Sequence, residues 1–232
     1  MRVMDEVGSS IYEVDLHGEA RHVVLTYDDG PQPGDTEAVL AALAAAGATA
    51  TFFVLLTRVR RHPTLLADVA AAGHEIGLHG IDHRRLTTVD PATLQRRTVD
   101  GRDELQDALG RAVTWFRPPY GDQSPASWRA VTEAGMTPVM WSATLRDWLD
   151  TTTEDRLGAA SRIDGPGAIL LAHDGYAALD DGVDDGPAPR FDRGRLATLV
   201  LDSYAQQGLT CTSLGTALES GSPVKRVWWT PG

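Results

Sequence analysis

The sequence predicts a single α/β domain in which a parallel sheet closes, or nearly closes, into a (β/α) barrel. Three observations carry this. Apolar runs of strand length alternate with helix-length segments from residue 22 onward, and such alternation builds a parallel sheet covered by helices. The helical segments share their punctuation, with Asp-Pro or Ser-Pro openings and Gly endings. The 232 residues are 42% hydrophobic, which suits one barrel-sized core and excludes a disordered chain. An open doubly wound sheet is the competing architecture, but no Gly-rich dinucleotide loop follows the first strand. No repeat or linker divides the chain.

Residues 1–21 read as an N-terminal extension. Within it, 11–20 alternate loosely and turn at Gly18, as a hairpin closing one end of the fold. The barrel then spans 22–232. His22–Tyr27 is the first core strand, an apolar run stopped by Gly30-Pro31. Asp35 caps a helix reaching Ala46, with Gly47 at its end. Thr49–Leu55 is a β-branched and aromatic second strand. Pro63 opens a helix that Gly73 ends, and His74–Leu78 is the third strand. Asp90-Pro91 starts a long helix ended by Gly110, with Gly101 inside it as a weak point. Val113–Phe116 is the fourth strand. Ser124-Pro125 starts the next helix and Gly135 stops it. Thr137–Ser142 is the fifth strand, with a helix after Thr153, and Ala168–Ala172 is the sixth. A long loop precedes a helix from Asp192 to Gln207. Leu209–Ser213 is the seventh strand, with a short helix after it.

The formal net charge of −11 argues against nucleic-acid or anionic-membrane binding through a basic surface. The one basic cluster, Arg58-Val59-Arg60-Arg61, reads as a solvated helix approach. Cys211 is the single cysteine, so no intrachain disulfide framework exists, and its apolar surroundings make it a core thiol. No apolar run is long enough to cross a bilayer as a helix. Met1 to Ser10 show no basic-then-apolar leader pattern. This fits a cytoplasmic protein, or a secreted one whose export signal has been removed.

The polar residues that stand out fall just after strand ends. Asp28 and Asp29 follow the first strand, His79 and His83 the third, and Arg117 the fourth. Asp147 and Trp148 follow the fifth and His173 the sixth. In a parallel barrel those ends share one face, where active sites lie. Adjacent carboxylates at a buried strand end need a cation or a shared proton. His79 and His83, four apart, place two imidazoles within reach of one metal. Two histidines and one aspartate form the protein half of an open, catalytic metal site, whereas a structural site would have four ligands. Either aspartate could be the ligand, and the other could take a proton from water. Arg117 would hold that base ionised. His173 would act as general acid, with Asp147 keeping it protonated.

In this order the residues resemble the NodB-homology polysaccharide deacetylases, carbohydrate esterase family four, through five motifs between about residues 22 and 175. Thr26-Tyr27-Asp28-Asp29-Gly30-Pro31 resembles the first motif, which implies Asp28 as catalytic base and Asp29 as metal ligand. His79-Gly80-Ile81-Asp82-His83 resembles the second, implying both histidines as ligands. Arg117-Pro118-Pro119-Tyr120 resembles the third. There Arg117 would orient the base and the Tyr120 N–H would help hold the oxyanion. Arg146-Asp147-Trp148 resembles the fourth, with Asp147 tuning the acid and Trp148 walling the acyl pocket. Leu171-Ala172-His173 resembles the fifth, with Leu171 lining the pocket and His173 as acid. The resemblance implies a distorted (β/α)7-8 barrel. It departs at Gly80, where the family usually has Ser or Thr, and at Thr144, where an earlier Asp is common.

The activity so implied is metal-dependent hydrolysis of an N-acetyl or other N-acyl group on an amino sugar or its polymer. The metal is Zn²⁺ first, with Co²⁺ or Ni²⁺ also accommodated. One alternative is an intracellular amidase or deformylase acting on a small amino sugar, nucleotide sugar or natural product. Another is a non-catalytic carbohydrate-binding relative, against which the complete set of base, ligands, arginine and acid argues. The acidic loop from Gly175 to Phe191 reads either as solvated surface or as a lid favouring cationic substrates. Trp228-Trp229 reads as packing, with sugar stacking as the alternative.

Overall fold

The computed structural model describes residues 6–230. Its strands are β1 (Ser9–Leu16), β2 (His22–Asp28), β3 (Thr51–Val54), β4 (Glu75–Leu78), β5 (Trp115–Phe116), β6 (Thr137–Pro138), β7 (Ala143–Thr144), β8 (Ile169–His173), β9 (Thr210–Thr212) and β10 (Gly221–Val227). Its helices are α1 (Asp35–Ala45), α2 (Leu56–Arg61), α3 (Pro63–Ala71), α4 (Pro91–Leu109), α5 (Pro125–Glu133), α6 (Thr153–Ala160), α7 (Arg193–Gln206) and α8 (Leu214–Glu219). The main sheet is parallel, in the order β6-β5-β4-β3-β2-β8-β7, with β9 beside the start of β2.

Alternation along β2 divides its side chains between two cores. Val23, Leu25 and Tyr27 join the large core under the helices. Val24 joins a smaller cluster with Ile11, Phe53, Val139 and Ile169 inside the barrel. Thr26 and Asp28 share the parity of Val24, so the same alternation carries polar groups into the interior at the carboxyl end of the strand.

The distortion of the barrel lies between β6 and β7. The expected fifth strand, Thr137–Ser142, stops there at Pro138, because Val139 and Met140 turn to β1. Ile11 bridges Val139, the Met140 N–H donates to the Ile11 carbonyl at 2.7 Å, and the Val14 N–H donates to the Gly167 carbonyl at 2.9 Å. Strand β1 thus fills the seam. Its strand partner is β10, antiparallel from Ser9↔Val227 to Leu16↔Gly221, so the expected N-terminal hairpin gives way to a ribbon made from the first and last described strands. Residues 1–5 of that expected extension lie outside the described residues.

Most helix signals act as the sequence implies. Asp90 accepts from the Thr93 N–H, Pro91 opens α4, and Gly110 ends it in the left-handed region at φ 64°. Helix α4 runs through Gly101, where a Cβ would lie 3.3 Å from both Leu78 and Ile81; glycine there admits close packing. The cap of α1 is Gly34 instead of Asp35, which is the first helical residue and adds an acidic group to the first turn. Helix α2 has no side-chain cap and was not foreseen.

Candidate active site

Parallel register makes the strand ends level. Asp28 pairs across the sheet with His173, and Leu78 with Phe116, so the next residues, His79 and Arg117, emerge together. The His79 N–H donates to the Val54 carbonyl at 2.9 Å and the Arg117 N–H to the Leu78 carbonyl at 3.0 Å, extending the ladder by one residue on each side. Asp28, Asp29, His79, His83, Tyr120, Trp148, Leu171 and His173 thus line one cleft of about 480 Å³, while Arg117 and Asp147 lie behind it against Asp28 and His173.

Asp29, His79 and His83 present donor atoms that all lie within 4.8 Å of one another, and all three residues are buried. Asp29 Oδ1 is 3.5 Å from His79 Nε2 and 3.3 Å from His83 Nε2, and it has no hydrogen-bond partner. A buried carboxylate oxygen left in that state fits a cation between the three groups. Burial pushes the Asp29 carboxyl up, but His83, His173, His79 and Arg58 outweigh it and hold the group ionised, well below the usual range. Burial pulls His79 down to about 4 against the opposing pull of Asp28 and Asp29, so its ring is neutral. Its Nδ1–H donates to the Arg117 carbonyl at 2.8 Å, which leaves the Nε2 lone pair facing the cleft.

Asp28 is held by a different cation. Arg117 is fully buried and donates from Nη1 to Asp28 Oδ1 at 2.8 Å and to Thr26 Oγ1 at 2.7 Å. Its remaining groups reach the Val139 carbonyl at 3.2 Å and the Met140 carbonyl at 2.9 Å, and its guanidinium lies 4.2 Å from the Phe53 ring centre. One residue therefore fixes Asp28 through its side chain and the His79 tautomer through its backbone.

His173 lies beside Asp147. Its Nδ1 donates to Asp147 Oδ1 at 2.7 Å and its N–H donates to Oδ2 at 2.9 Å. Burial alone would lower the His173 pKa, but Asp147, with smaller help from Asp29 and Asp28, lifts it to about 9. Burial likewise raises Asp147 while His173 and Arg193 bring it below its ordinary value. Arg193 is a member of this group that sequence reasoning missed. It is buried, donates to the His173 carbonyl at 2.9 Å and lies 3.6 Å from Asp147 Oδ2. A signal was available: Arg193 opens α7, where a cation opposes the helix dipole unless an acidic group elsewhere engages it. Asp174 is also buried beside the site. It accepts from Thr36 Oγ1 at 2.6 Å, its Oδ1 has no partner, and burial raises its pKa to about 7. Gly30 makes room for it, since a Cβ there would lie 2.1 Å from Asp174 Oδ2.

Among the described residues, three non-glycine residues have positive φ, and all belong to the motif loops: Asp29 at 74°, Tyr120 at 59° and Arg146 at 52°. Such backbone costs on the order of 1–3 kcal/mol per residue and persists where surroundings impose it. At Arg146 the surroundings include Thr144, whose Oγ1 accepts the Arg146 N–H at 3.0 Å; the departure at Thr144 still supports the turn that delivers Asp147. At Tyr120 the support comes from the chain end. The Trp228 indole donates to the Gly121 carbonyl at 3.0 Å and lies tilted against Trp141 at 5.3 Å, which is packing, as expected. Gly80 has φ 113°, and a Cβ there would meet the Asp82 carbonyl at 2.9 Å, so the other departure matches a backbone suited to glycine.

Trp148 stands at the rim with its ring edge-on to His173 at 5.6 Å, and Leu171 is buried in the wall. The acidic loop is neither free nor wholly solvated. Asp181 is buried and accepts from Arg58 Nε at 3.0 Å, Arg58 Nη2 at 2.8 Å, Thr57 at 2.8 Å and Arg61. This corrects the reading of Arg58–Arg61 as a solvated approach: Arg58 is buried, Arg61 reaches Asp180 and Asp181 of the loop, and Arg60 pairs with Glu104. Further along the loop, Asp185 accepts from the Tyr120 hydroxyl, and the Asp185 carbonyl accepts from the Tyr176 hydroxyl at 3.1 Å.

Fold and site together define a barrel hydrolase with an aspartate–arginine pair, an aspartate–histidine pair and an open Asp-His-His donor set. Residues 16–139 match the family described as polysaccharide deacetylase. A chitooligosaccharide deacetylase of Rhizobium leguminosarum bv. trifolii is 34% identical over 171 residues, covering 74% of this chain and 75% of that protein. A peptidoglycan-N-acetylglucosamine deacetylase of Bacillus cereus is 34% identical over 155 residues, 66% of this chain and 72% of the relative. The chain belongs to the polysaccharide deacetylase family, the NodB-homology group of carbohydrate esterase family four. Among solved structures, the family 4 carbohydrate esterase of Streptomyces lividans in complex with acetate superposes with TM-score 0.70 at 26% identity, covering 88% of this chain and 97% of that one. A family pseudoenzyme of Bacillus anthracis gives TM-score 0.78 at 20% identity, covering 94% and 72%; that likeness concerns the fold alone.

Proposed function

We propose that this chain removes N-acetyl groups from N-acetylglucosamine-type oligomers or polymers, of the chitooligosaccharide or peptidoglycan kind, with a divalent cation held by Asp29, His79 and His83. The observation that carries the reading is that Asp28 and His173, each backed by its buried partner, share one cleft with the three donor groups. The named activities of the relatives support the substrate class.

When bound, the cation polarises the amide carbonyl and makes water acidic enough to attack at neutral pH. Two nitrogen donors and one carboxylate suit Zn²⁺ first, and also Co²⁺ or Ni²⁺. Asp28, aimed by Arg117, takes the proton from the attacking water. The Tyr120 N–H donates to the developing oxyanion; one such donor is worth about 3–4 kcal/mol. His173, charged and fixed by Asp147, gives its Nε2 proton to the departing sugar amine, so that the C–N bond breaks to an amine and not to an amide anion. Trp148 and Leu171 bound the space left for the acyl methyl group.

The test is acetate release from chitooligosaccharides, peptidoglycan fragments, acetylated xylan and small N-acetyl sugars, with and without chelator. Release from the amino-sugar oligomers that chelator stops and Zn²⁺ restores is the expected outcome. Release that ignores chelator, or none from any amino sugar, refutes the proposal.

A further inference from the structure

The two histidines of the donor set are not held alike. His79 has its Nδ1 on the Arg117 carbonyl at 2.8 Å. His83 is buried, and its Nδ1 has no hydrogen-bond partner. Its own loop offers none. Gly80 has no side chain, Ile81 is apolar, and Asp82 is engaged by Arg97 at 2.8 Å and by Arg84 at 3.5 Å. The nearest carboxylate oxygen comes from elsewhere: Asp185 Oδ2, 4.0 Å from His83 Nδ1.

We propose that Asp185 is the positioning carboxylate of His83, accepting its Nδ1–H when a cation sits on Nε2. A ligand at Nε2 confines the ring proton to Nδ1, which turns a buried nitrogen into an obligate donor. Closing the gap requires a shift of about 1 Å, to the length of an ordinary N–H···O bond. The Asp185 side chain is 40% exposed and has room to make it. It need not release the Tyr120 hydroxyl, since a carboxylate has about four acceptor positions. The rest of the loop is already tied to this histidine. The His83 N–H donates to the Asp181 carbonyl at 2.9 Å, and the Asp181 side chain is clamped by Arg58. Asp185 thereby turns the acidic loop into the outer wall of the cation site, and Tyr120, hydrogen-bonded to the same carboxylate, is coupled to it.

This inference rests on the Asp29-His79-His83 reading of the site, so its test reads metal binding and not turnover. The Zn²⁺ dissociation constant is measured by chelator competition on the full chain, for wild type and for Asp185→Ala, Asp185→Asn and Asp184→Ala. Asp185→Ala is expected to bind about 10–100-fold more weakly. Asp185→Asn, which keeps an acceptor oxygen, loses less, and Asp184→Ala, with the same charge change at an exposed neighbour, stays within about twofold of wild type. Thermal unfolding of the metal-free proteins checks that all are folded. In the Zn²⁺-loaded wild type, the His83 Nδ1 proton should give a slowly exchanging NMR signal that Asp185→Ala abolishes. Wild-type affinity in Asp185→Ala, or an equal loss in Asp184→Ala, overturns the inference alone. Absence of Zn²⁺ binding by wild type overturns the site reading and this inference with it.

Discussion

Asp28 and Asp147 are both buried, Asp28 lining the cleft and Asp147 behind His173, each beside one cation, and in the proposed mechanism the two pairs have opposite tasks. The partner of Asp28 is Arg117, which cannot lose its charge in the working range and is fastened by bonds to Thr26, Val139 and Met140. The partner of Asp147 is a histidine whose pKa has been raised to about 9, so it can lose a proton and take it back. A fixed cation leaves the carboxylate as the group that accepts a proton. A fixed carboxylate leaves the imidazole as the group that gives one. Asp174 completes the comparison: it is buried with no cation hydrogen-bonded to it, and it rises to about 7. The same side chain becomes base, anchor or neutral acid according to what lies within 3 Å.

The largest effects come from removing the proton carriers. Asp28→Asn and His173→Ala should each lower turnover of an N-acetyl substrate about 10²–10⁴-fold while bound metal stays the same. An activated aryl acetate separates them, because its leaving group needs no proton. His173→Ala should then recover most of its rate and Asp28→Asn should not. Near-full amide activity in either variant, or equal rescue of both by the ester, would break the contrast.

A smaller effect is expected from Asp147→Asn. The acid must be protonated to work, so the rate falls as pH rises through the His173 pKa. Without the Asp147 charge that value drops from about 9 toward the ordinary histidine range. The alkaline limb of the pH–rate profile should therefore move to lower pH. The sign for stability is the same: the pair contributes fully below about pH 6.5, and the contribution is lost as pH rises through about 9. An alkaline limb that stays in place would remove Asp147 from its role.

The smallest effect concerns Asp174. Its folded pKa is raised, so the native state keeps a proton that the unfolded chain gives up near pH 4, and stability declines as pH climbs toward about 7. Asp174→Asn should escape that decline. At pH 8 it should melt about 2–4 °C higher than wild type, the shift that about 1 kcal/mol produces in a chain of this size. The difference should shrink at pH 5; a gain equal at both pH values would mean that ionisation is not its cause.

The site was more legible in the sequence than the frame around it. Catalytic groups follow strand ends one by one, and parallel register then brings Asp28, His79, Arg117 and His173 together without long-range guesswork. What escaped depends on pairings between remote segments. Nothing local in Thr137–Ser142 announces that Met140 will bond to Ile11. Nothing in Ser9–Leu16 names a partner two hundred residues away. Arg58 and Asp181 could each be taken for surface alone; only the fold buries them against each other. Arg193 was missed because it belongs to a helix start with no motif of its own, though its charge sits at the wrong end of the dipole.

The ribbon of β1 and β10 sets two segments remote in sequence side by side, with the Trp228 N–H donating to the Gly8 carbonyl at 3.1 Å. A short peptide bridge between the neighbourhoods of Gly8 and Trp228 would close the described fold into a ring. New ends could then be opened at an exposed turn such as the one around Gly47, well separated in sequence from Asp29 before it and His79 after it. For an immobilised or fused form of the enzyme, the place of attachment is thus a matter of choice, and not one imposed by the order in which the chain is synthesised.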